Sequence, residues 1–326
     1  MKEIGIGVIG TAFMGKAHSI AYASAGTAFG GNLRPRLEMV CDQDPQIAEA
    51  KRAEMGFARC TANYMDVVND PKVDLISICV PNSVHKEIAI AALAAGKHVW
   101  CEKPLTCSYI DTQVLVSLAE KKGKVLTESF MYLYHPQFQR VKKFVDDSKG
   151  VHSVICRFGI PTLDKPGFRN NSHLCGGALW DVATYTTSAL LPLFPDQQIK
   201  VIFSEVLTKI GESVDSEGRV LLKFSHGVTA YLEWGVGVAY KNEIDLWAID
   251  GSFFTDKIFS KPKEYRPQYK IRDLNGNESV KNGEQSEQFM NMFRNFVGIM
   301  SSKERAAAER KTILQRAKLM NDIVNF

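Results

Sequence analysis

The sequence has no long hydrophobic run, since no stretch reaches the about 20 uninterrupted apolar residues that a membrane-spanning helix needs. Its start, MKEIGIGVIG, lacks the basic, apolar and small-residue segments of a secretory signal peptide. It also lacks an excess of one charge, because 40 basic and 36 acidic residues are interspersed and leave a formal net charge of +4. These absences predict a cytoplasmic protein that binds neither membranes nor nucleic acid.

The cysteine pattern lacks the spacing of a metal site. None of the seven cysteines belongs to a C-x-x-C pair, and the seven histidines are dispersed along the chain. A structural zinc site needs Cys and His ligands at short spacing. We therefore expect no metal and interpret the cysteines as small apolar residues in a reducing compartment.

The first third of the chain alternates short apolar strands with helical patterns. Strands are predicted at 3–9, 36–41, 73–80, 97–101 and 124–128, and helices between them at 15–24, 45–55, 85–95 and 109–122. Such alternation requires right-handed crossovers and a parallel sheet covered on both faces. At 326 residues the chain is long enough for two cores, and we assign residues 1–127 to a doubly wound α/β dinucleotide-binding domain.

Beyond about residue 150 the pattern changes to longer, alternating strands with little helix between them. These are predicted at 151–158, 199–207, 219–224, 228–236 and 243–249, and they indicate a large, open, mostly antiparallel sheet. A helix at 178–191 and two C-terminal helices, 284–300 and 303–325, are expected to cover one face. The other face is expected to pack against a second copy. We assign residues 128–326 to this α+β domain, for substrate binding and oligomerisation.

The segment GIGVIGTAFMG near the N-terminus contains two overlapping glycine fingerprints. Gly5, Gly7 and Gly10 match G-x-G-x-x-G literally, whereas Gly10, Ala12 and Gly15 match it with one substitution. A dinucleotide fingerprint works only where a strand ends and a helix begins, because the pyrophosphate binds the free amides of the helix N-terminus. Gly5 and Gly7 lie inside the predicted strand, so the second match is the one expected to bind.

The predicted nucleotide turn follows from this choice. We expect the cofactor to lie against its residues, which are Gly10, Ala12, Phe13, Met14 and Gly15. An ordinary tight turn between strand and helix remains the alternative.

Asp42 comes at the end of the second predicted strand, where it can hydrogen-bond both ribose hydroxyls of the adenosine. Its long distance from Gly15 is explained by an insertion, GTAFGGNLRPR, at residues 26–36. Because an acid repels a 2′-phosphate, the sequence favours NAD as cofactor, with NADP possible. The alternative is that Asp42 only forms the turn before Asp44.

Two further turns follow predicted strands and are expected to close over the nucleotide. Pro81 and Asn82 follow the third strand, and His85 then caps or opens the next helix. Glu102 and Lys103 follow the fourth, and adjacent acidic and basic residues at a strand end are expected to face the cleft. A solvated loop is the alternative for this pair.

Four segments together resemble one known family: GVIGTAFMGKAH, VCDQDP, VPNSVHKEIAIAALAAGKHVWCEKPLT and GGALWDVATY. They are similar to the glucose-fructose oxidoreductase, inositol dehydrogenase and rhizopine-catabolism family (Gfo/Idh/MocA), over residues 4–140 and again over 167–195. The resemblance implies a Rossmann domain joined to an open-sheet domain and oligomerisation through that sheet, as a homodimer or homotetramer. It also implies NAD(P)-dependent oxidation or reduction of sugars and cyclitols.

By the same resemblance, Lys103 matches the family's active-site lysine, Asp181 its substrate-orienting acid, and Tyr185 stands at the position of its catalytic histidine. Tyrosine there is similar to the branch with glucose-fructose oxidoreductase, dimeric dihydrodiol dehydrogenase and the nucleotide-sugar 3-ketoreductases. Asp181 and Tyr185 are four residues apart and share one face of the predicted helix. The Gly176-Gly177 start of that helix permits close approach to the cofactor.

These three residues suit hydride transfer, which needs a group that takes or returns the hydroxyl proton. A free phenol has a pKa of about 10, and a nearby cation lowers it. We therefore expect Tyr185 to be the general acid/base, Lys103 its electrostatic activator and Asp181 the group that positions substrate. The alternative for Tyr185 is a tyrosine packed under the sheet.

Two more residues are candidate substrate contacts. His135 opens a predicted helix with the sequence HPQF and is interpreted as a helix cap or, alternatively, as a substrate contact. Arg169 lies in the loop before Gly176 and, like Arg157 on the preceding strand, is expected to bind substrate hydroxyls or a phosphate.

Three functions remain open on the sequence. The first is a sugar or cyclitol oxidoreductase, and the second is a nucleotide-sugar 3-ketoreductase with the same chemistry. The third is a non-catalytic NAD-binding regulator, which has no need to keep both Lys103 and Tyr185.

Overall fold

A computed structural model describes residues 2–28 and 33–326 of the chain. These form two compact units. The first contains the residues up to Ser129 together with the returning segment Phe289–Leu314, and the second contains Phe130–Gln288 and Gln315–Phe326. None of the described helices is both long and apolar enough to cross a membrane.

The first unit is built on a six-stranded parallel sheet in the order β3-β2-β1-β4-β5-β6. Its strands are β1 (Lys2–Ile9), β2 (Leu33–Cys41), β3 (Arg59–Thr61), β4 (Leu75–Ile78), β5 (His98–Glu102) and β6 (Leu126–Ser129). This is the strand order of a dinucleotide-binding Rossmann domain. Successive strands are added on one side of β1 up to β3 and on the other side from β4 onward, so the topological switch point lies between β1 and β4. The predicted doubly wound fold is confirmed, although the short strand β3 was not predicted.

Local signals in the sequence explain where the helices begin and end. The helices of this unit are α1 (Phe13–Ala28), α2 (Pro45–Met55), α3 (Tyr64–Asn69), α4 (His85–Ala94) and α5 (Tyr109–Lys122). The side chain of Asp44 caps α2 by accepting a hydrogen bond from the Gln46 amide at 2.8 Å. Gly56 ends α2 and Gly123 ends α5, both in the left-handed conformation that favours glycine.

The C-terminal helices α8 (Gln288–Met300) and α9 (Lys303–Val324) correct the predicted division of the chain. Both were predicted to cover the open sheet of the second domain, but residues 289–314 belong to the first unit. Phe293 and Phe296 stack on the buried Trp100 of β5, each with a ring-centroid distance of 6.0 Å. Ile313 of α9 joins the core of the same unit.

We expect Phe293→Ala to lower the free energy of unfolding by about 3–5 kcal/mol, because it removes a buried ring from this stack. Chemical denaturation followed by tryptophan fluorescence measures the loss. The exposed Phe326 gives a matched control, for which the same change is expected to cost less than about 0.5 kcal/mol. Equal effects of the two substitutions would show that residues 289–314 contribute little to the first unit.

The second unit contains an eight-stranded sheet in the order β14-β13-β12-β11-β7-β10-β9-β8. Its strands are β7 (Val151–Ile160), β8 (Ile199–Leu207), β9 (Glu217–Phe224), β10 (Thr229–Val236), β11 (Lys241–Ala248), β12 (Gly251–Asp256), β13 (Gln268–Asp273) and β14 (Glu278–Asn282). All neighbours are antiparallel except β7 and β10. The predicted open, mostly antiparallel sheet is confirmed.

One face of this sheet is covered within the unit by α6 (Pro136–Asp147) and α7 (Thr184–Leu193). Along β7 the side chains of Val154, Cys156 and Phe158 are buried on this face, as the period of two in a strand requires. Arg157 lies on the opposite face between Glu233 and Glu243, with nitrogen-to-oxygen distances of 3.1 Å to each. The expectation that Arg157 binds substrate is therefore wrong.

Candidate functional site

The turn between β1 and α1 depends on two glycines. Gly10 has a φ of +95°, and a Cβ atom there would overlap the carbonyl oxygen of Cys79. A Cβ atom at Gly15 would overlap the carbonyl oxygen of Gly10. In contrast, Gly5 and Gly7 lie inside β1, as predicted, against Lys72 and Val67. The second fingerprint is therefore the one that lies at the strand-to-helix turn.

The beginning of α1 is open to a ligand. Ala12 is exposed, Phe13 is 80% exposed and Met14 is half-buried. The amide of Lys16 donates to the carbonyl of Ala12 at 3.0 Å, so the amides before Lys16 precede the regular helical hydrogen bonds. A helix N-terminus of this kind suits the pyrophosphate of a dinucleotide.

Asp42 lies beside the same turn. One of its carboxylate oxygens accepts a hydrogen bond from the hydroxyl of Thr11, and the other accepts from the Asp44 amide at 3.3 Å. The contact with the Asp44 amide is that of a turn-forming aspartate, so the alternative interpretation stays open, although Asp44 and not Asp42 caps α2. The position of Asp42 next to the turn is the one that ribose recognition requires.

The predicted insertion at 26–36 overlaps residues that the structure does not describe. Helix α1 extends to Ala28, four residues beyond its predicted end, and β2 begins at Leu33, three residues before its predicted start. The remaining part of the predicted insertion, residues 29–32, lies outside the described residues. The longer helix and strand account for most of the spacing between Gly15 and Asp42.

Replacing Asp42 with serine is expected to reduce the preference for NADH over NADPH by about tenfold or more. The change removes the carboxylate that is predicted to accept from the ribose hydroxyls and to repel a 2′-phosphate. Fluorescence titration with the two nucleotides measures the ratio of Kd values. Asp44→Ser keeps a capping side chain and is the matched control, for which we expect an unchanged ratio. Equal ratios in both variants would contradict this role of Asp42.

The turns after β4 and β5 are joined by a buried histidine. The ring nitrogens of His85 face two backbone carbonyls, Nδ1 that of Pro104 at 2.8 Å and Nε2 that of Val80 at 2.9 Å. Burial lowers the pKa of His85, although both carbonyls favour the protonated ring. His85 was predicted to bind the cofactor, but its nitrogens are oriented toward Pro104 and Val80. It therefore supports the two turns that hold Pro81, Asn82 and Lys103.

Glu102 faces inward, toward α1. It is buried, and its Oε1 lies 3.0 Å from Nε2 of the buried His18, while its Oε2 accepts from the Lys103 amide at 3.3 Å. A solvated loop is therefore wrong for Glu102, and so is the expected orientation toward the cleft, because its carboxylate is buried against His18. The ring of His18 also contacts Ser77 on β4 at 3.1 Å, so one side chain ties α1 to two strand ends. His18 was not predicted as a site residue, although it lies in the segment GKAH that follows the glycine turn.

In the second unit, the helix after Gly176-Gly177 begins with a π-helical turn, Leu179–Ala183, and continues as α7. Single π turns inside helices are frequent at functional sites. Asp181 lies on this turn and pairs with Arg169, with Nε and Oδ2 2.6 Å apart. The two candidate substrate contacts are therefore brought together.

Tyr185 follows in the first turn of α7. Its ring is buried among aromatic side chains, with centroid distances of 5.3 Å to Phe158, 5.9 Å to Phe130 and 6.2 Å to Phe259. The hydroxyl of Tyr132 donates to the backbone carbonyl of Tyr185 at 3.2 Å. The aromatic side chains therefore pack against the ring of Tyr185, whereas the hydrogen bond from Tyr132 holds only its backbone.

His135 is the N-cap of α6. Its Nδ1 accepts a hydrogen bond from the Gln137 amide at 3.0 Å. Burial, and secondarily the charge of Lys261, lowers the pKa of His135 to about 3. His135 is therefore neutral near pH 7, and the helix-cap interpretation accounts for its contacts.

A cavity in the second unit contains both Arg169 and Asp181. Three further charged residues line it, Lys209, Glu212 and Asp215, all from the segment between β8 and β9. This segment was not predicted to belong to the site, because it lies more than 25 residues from Asp181 along the chain and carries no recognisable motif. Among residues 2–28 and 33–326 no group of three or more His, Cys, Asp or Glu side chains is arranged to hold a metal ion.

Two family models match the chain. Residues 4–130 match the oxidoreductase family with an NAD-binding Rossmann fold (GFO_IDH_MocA), and residues 138–253 match the GFO/IDH/MocA C-terminal domain. The chain is 30% identical to dTDP-3,4-didehydro-2,6-dideoxy-alpha-D-glucose 3-reductase of Saccharopolyspora spinosa over 282 residues, which cover 83% of this chain and 80% of that protein. It is 28% identical to levoglucosan dehydrogenase of Pseudarthrobacter phenanthrenivorans, over 77% of this chain and 72% of that protein.

A solved structure shows the same architecture. KijD10, a 3-ketoreductase from Actinomadura kijaniata in complex with NADP and TDP-benzene, has a TM-score of 0.90 and 25% identity, covering 99% of this chain and 98% of that chain. The strand orders of the two sheets, the glycine turn and these matches all indicate the same family. The chain belongs to the Gfo/Idh/MocA family of NAD(P)-dependent oxidoreductases.

Proposed function

We propose that this protein interconverts a secondary alcohol and a ketone, or a lactone, on a sugar or cyclitol, with NAD as its preferred cofactor. The observation that carries the proposal is that one chain holds two sets of groups. The first unit has an open helix N-terminus beside Asp42, and the second has Asp181 and Tyr185 at the beginning of one helix. These are the groups that nucleotide binding and proton transfer need.

Each residue has a distinct task in the proposed reaction. Bound NAD(P) supplies the C4 position that accepts or donates the hydride. Tyr185 takes the hydroxyl proton during oxidation and returns it during reduction. Lys103 stabilises the phenolate and polarises the carbonyl of the ketone.

Asp181 is proposed to accept a hydrogen bond from a neighbouring substrate hydroxyl. Its pairing with Arg169 fixes the carboxylate in one orientation, which makes it a precise acceptor. The two cations of the cavity, Arg169 and Lys209, face three carboxylates, Asp181, Glu212 and Asp215. This excess of one negative charge suits an uncharged polyol better than a phosphate.

The second candidate is reduction of a nucleotide-bound keto sugar. It is favoured by the 30% identity to a dTDP-sugar 3-reductase and by the TM-score of 0.90 to a 3-ketoreductase bound to TDP-benzene. The chemistry at Tyr185 and Lys103 is the same in both candidates. They differ in whether the substrate carries a diphosphate.

Self-association through the sheet of the second unit is part of the proposal, as a homodimer or homotetramer. On its outer face Trp247 is 61% exposed, and the adjoining Ile249 is 66% exposed. Apolar side chains on a broad sheet face favour burial against a second copy. We place the protein in a reducing cytoplasm, because buried thiols at Cys41 and Cys156 suit such a compartment.

The test uses the purified full chain. Fluorescence titration with NADH and NADPH measures binding, and absorbance at the nicotinamide band measures turnover. The substrate panel contains free sugars, cyclitols and nucleotide sugars. Turnover of a free sugar or cyclitol supports the first candidate, and turnover of nucleotide sugars alone supports the second. Nucleotide binding without turnover of any polyol or keto sugar would favour a non-catalytic regulator. If neither nucleotide binds, both proposed enzyme functions and the regulator are contradicted.

A further inference from the structure

Asp215 holds the beginning of the helix that carries Asp181 and Tyr185. Its carboxylate accepts a hydrogen bond from the Leu179 amide at 2.7 Å, and its backbone carbonyl accepts from the Ala178 amide at 3.0 Å. The amides at a helix N-terminus have no partner within the helix and need an acceptor from outside. One residue of the β8–β9 segment therefore satisfies two consecutive amides at this helix start.

The double glycine before the helix is explained by the same residue. Gly177 has a φ of +105°, and a Cβ atom there would overlap the carboxylate oxygen Oδ1 of Asp215. The amide of Gly177 donates to the carbonyl of Arg169 at 2.8 Å, and a Cβ atom at Gly176 would overlap that carbonyl. The absence of side chains at the two glycines thus leaves room for the carboxylate of Asp215 beside Gly177 and for the carbonyl of Arg169 beside Gly176.

These contacts connect Asp215 to the proposed substrate site. Arg169 is held at its backbone by the double glycine and pairs through its side chain with Asp181. Asp181 lies two residues after Leu179, whose amide the Asp215 carboxylate binds. A shift of the helix start would therefore move Asp181 and loosen its pairing with Arg169.

The ionised form of Asp215 lowers the free energy of unfolding, because its carboxylate is buried. Burial raises its pKa to about 6, although the amides of Leu179 and Ala178 favour the ionised form. A carboxyl whose pKa is higher in the folded than in the unfolded state destabilises the fold above about pH 6, and this cost is relieved as the pH falls toward about 4. A buried charge that costs stability at neutral pH is typical of functional sites.

The charged groups that line the same cavity as Asp215 come from three elements. Asp181 lies on the helix, Arg169 lies on the segment before it, and Lys209 and Glu212 lie on the β8–β9 segment itself. Protonation of Asp215 weakens its hydrogen bond to Leu179, because a neutral carboxyl is a weaker acceptor than a carboxylate. Protonation also places an O–H donor beside the Leu179 and Ala178 amides, which are donors themselves and cannot accept a hydrogen bond from it.

We propose that Asp215 is a positioning residue whose ionised carboxylate fixes the helix start carrying Asp181 and Tyr185, so that proton uptake by Asp215 releases this start and lowers activity on the acid side of neutrality. The inference rests on the proposed function for its effect on turnover. The structural part, a protonation that changes the helix start, can be measured without a substrate.

The first experiment compares wild type with Asp215→Asn, which keeps an acceptor oxygen for the Leu179 amide but does not take up a proton. The pH dependence of kcat/KM is measured between pH 5 and 8 in the direction of ketone reduction, in which Tyr185 acts in its protonated form and contributes no acid limb of its own. In wild type we expect a tenfold fall per pH unit below about pH 6. In Asp215→Asn this acid limb disappears, with activity at pH 8 within about tenfold of wild type. An unchanged acid limb overturns the proposal.

Asp245→Asn is the matched control. Asp245 is an aspartate of the same unit on the outer face of the sheet, and burial also raises its pKa. We expect this variant to keep the wild-type acid limb. Loss of the acid limb in both variants would mean that the limb depends on the net charge of the protein and not on protonation of Asp215, which would contradict the proposal.

The second experiment needs no activity. Trp180 follows Leu179 directly, so its fluorescence reports the helix start, and Trp180→Phe identifies its share of the emission. In wild type we expect a change in this emission with a midpoint near pH 6, absent in Asp215→Asn. The same midpoint in both overturns the proposal. If the midpoint is found as expected but no sugar is turned over, the positioning of the helix start stands and the proposed function fails.

Discussion

Tyr185→Phe is expected to lower kcat by a factor of about 10²–10⁴ while leaving the Kd for NADH unchanged. Phenylalanine keeps the ring and its packing against Phe130, Phe158 and Phe259, so the substitution removes only the hydroxyl. Hydride transfer would then lack the group that we propose to take the substrate proton. Steady-state kinetics on a substrate from the panel, with NADH binding measured in parallel, gives both values.

Tyr132→Phe is the matched control, because Tyr132 lies in the same aromatic cluster and its hydroxyl bonds the carbonyl of Tyr185 and the hydroxyl of Ser188. Its loss is expected to change kcat less than about tenfold, as for one neutral hydrogen bond. Full turnover in Tyr185→Phe would mean that another group carries the proton. The fold would stand in that case, but the mechanism would not.

Lys103→Met is expected to lower kcat by a factor of about 10² or more, because it removes the cation that we propose to stabilise the phenolate and to polarise the substrate carbonyl. Methionine keeps a similar length and flexibility. In the direction of alcohol oxidation, the rise of kcat with pH is expected to move to higher pH, since a phenol without a nearby cation loses its proton less readily. Kinetics from pH 6 to 10 measures both effects.

Lys86→Met is the control for this change. Lys86 lies on α4 of the same unit and pairs with Asp111 at 2.6 Å, on a partly exposed surface where ion pairs contribute about 0–1 kcal/mol. Its loss is expected to leave kcat and its pH dependence unchanged. If the double variant of Lys103 and Tyr185 loses no more activity than the worse single variant, the two residues act as one unit. Multiplying effects would contradict that pairing.

Much of the fold follows from local sequence patterns. Alternating apolar strands and helices predicted the Rossmann sheet, and the glycine spacing predicted that Gly10 and Gly15 lie at the strand-to-helix turn, where the structure has them. The packing of the returning segment on the first unit could not be predicted. The apolar face of an amphipathic helix indicates that the helix packs against another element, but it does not indicate which element. Only the structure shows that Phe293 and Phe296 stack on Trp100.

The site was predictable where a motif is contiguous, and not where contacts join distant parts of the chain. Glu102 and Lys103 stand together in the sequence, but the orientation of Glu102 toward His18 depends on a contact across 84 positions. Asp215 meets Leu179 across 36 positions, and nothing in its own segment indicates that contact. Arg157 had a plausible residue type, but the alternation of β7 turns it toward Glu233 and Glu243.

The most direct test is a crystal structure of the protein with NAD and a substrate or substrate analogue bound. We expect the hydroxyl of Tyr185 and the ammonium of Lys103 both to lie within about 3.5 Å of the reacting oxygen, with the reacting carbon over C4 of the nicotinamide. A complex in which either side chain points away from that oxygen, or another acid or base takes its place, would contradict the mechanism.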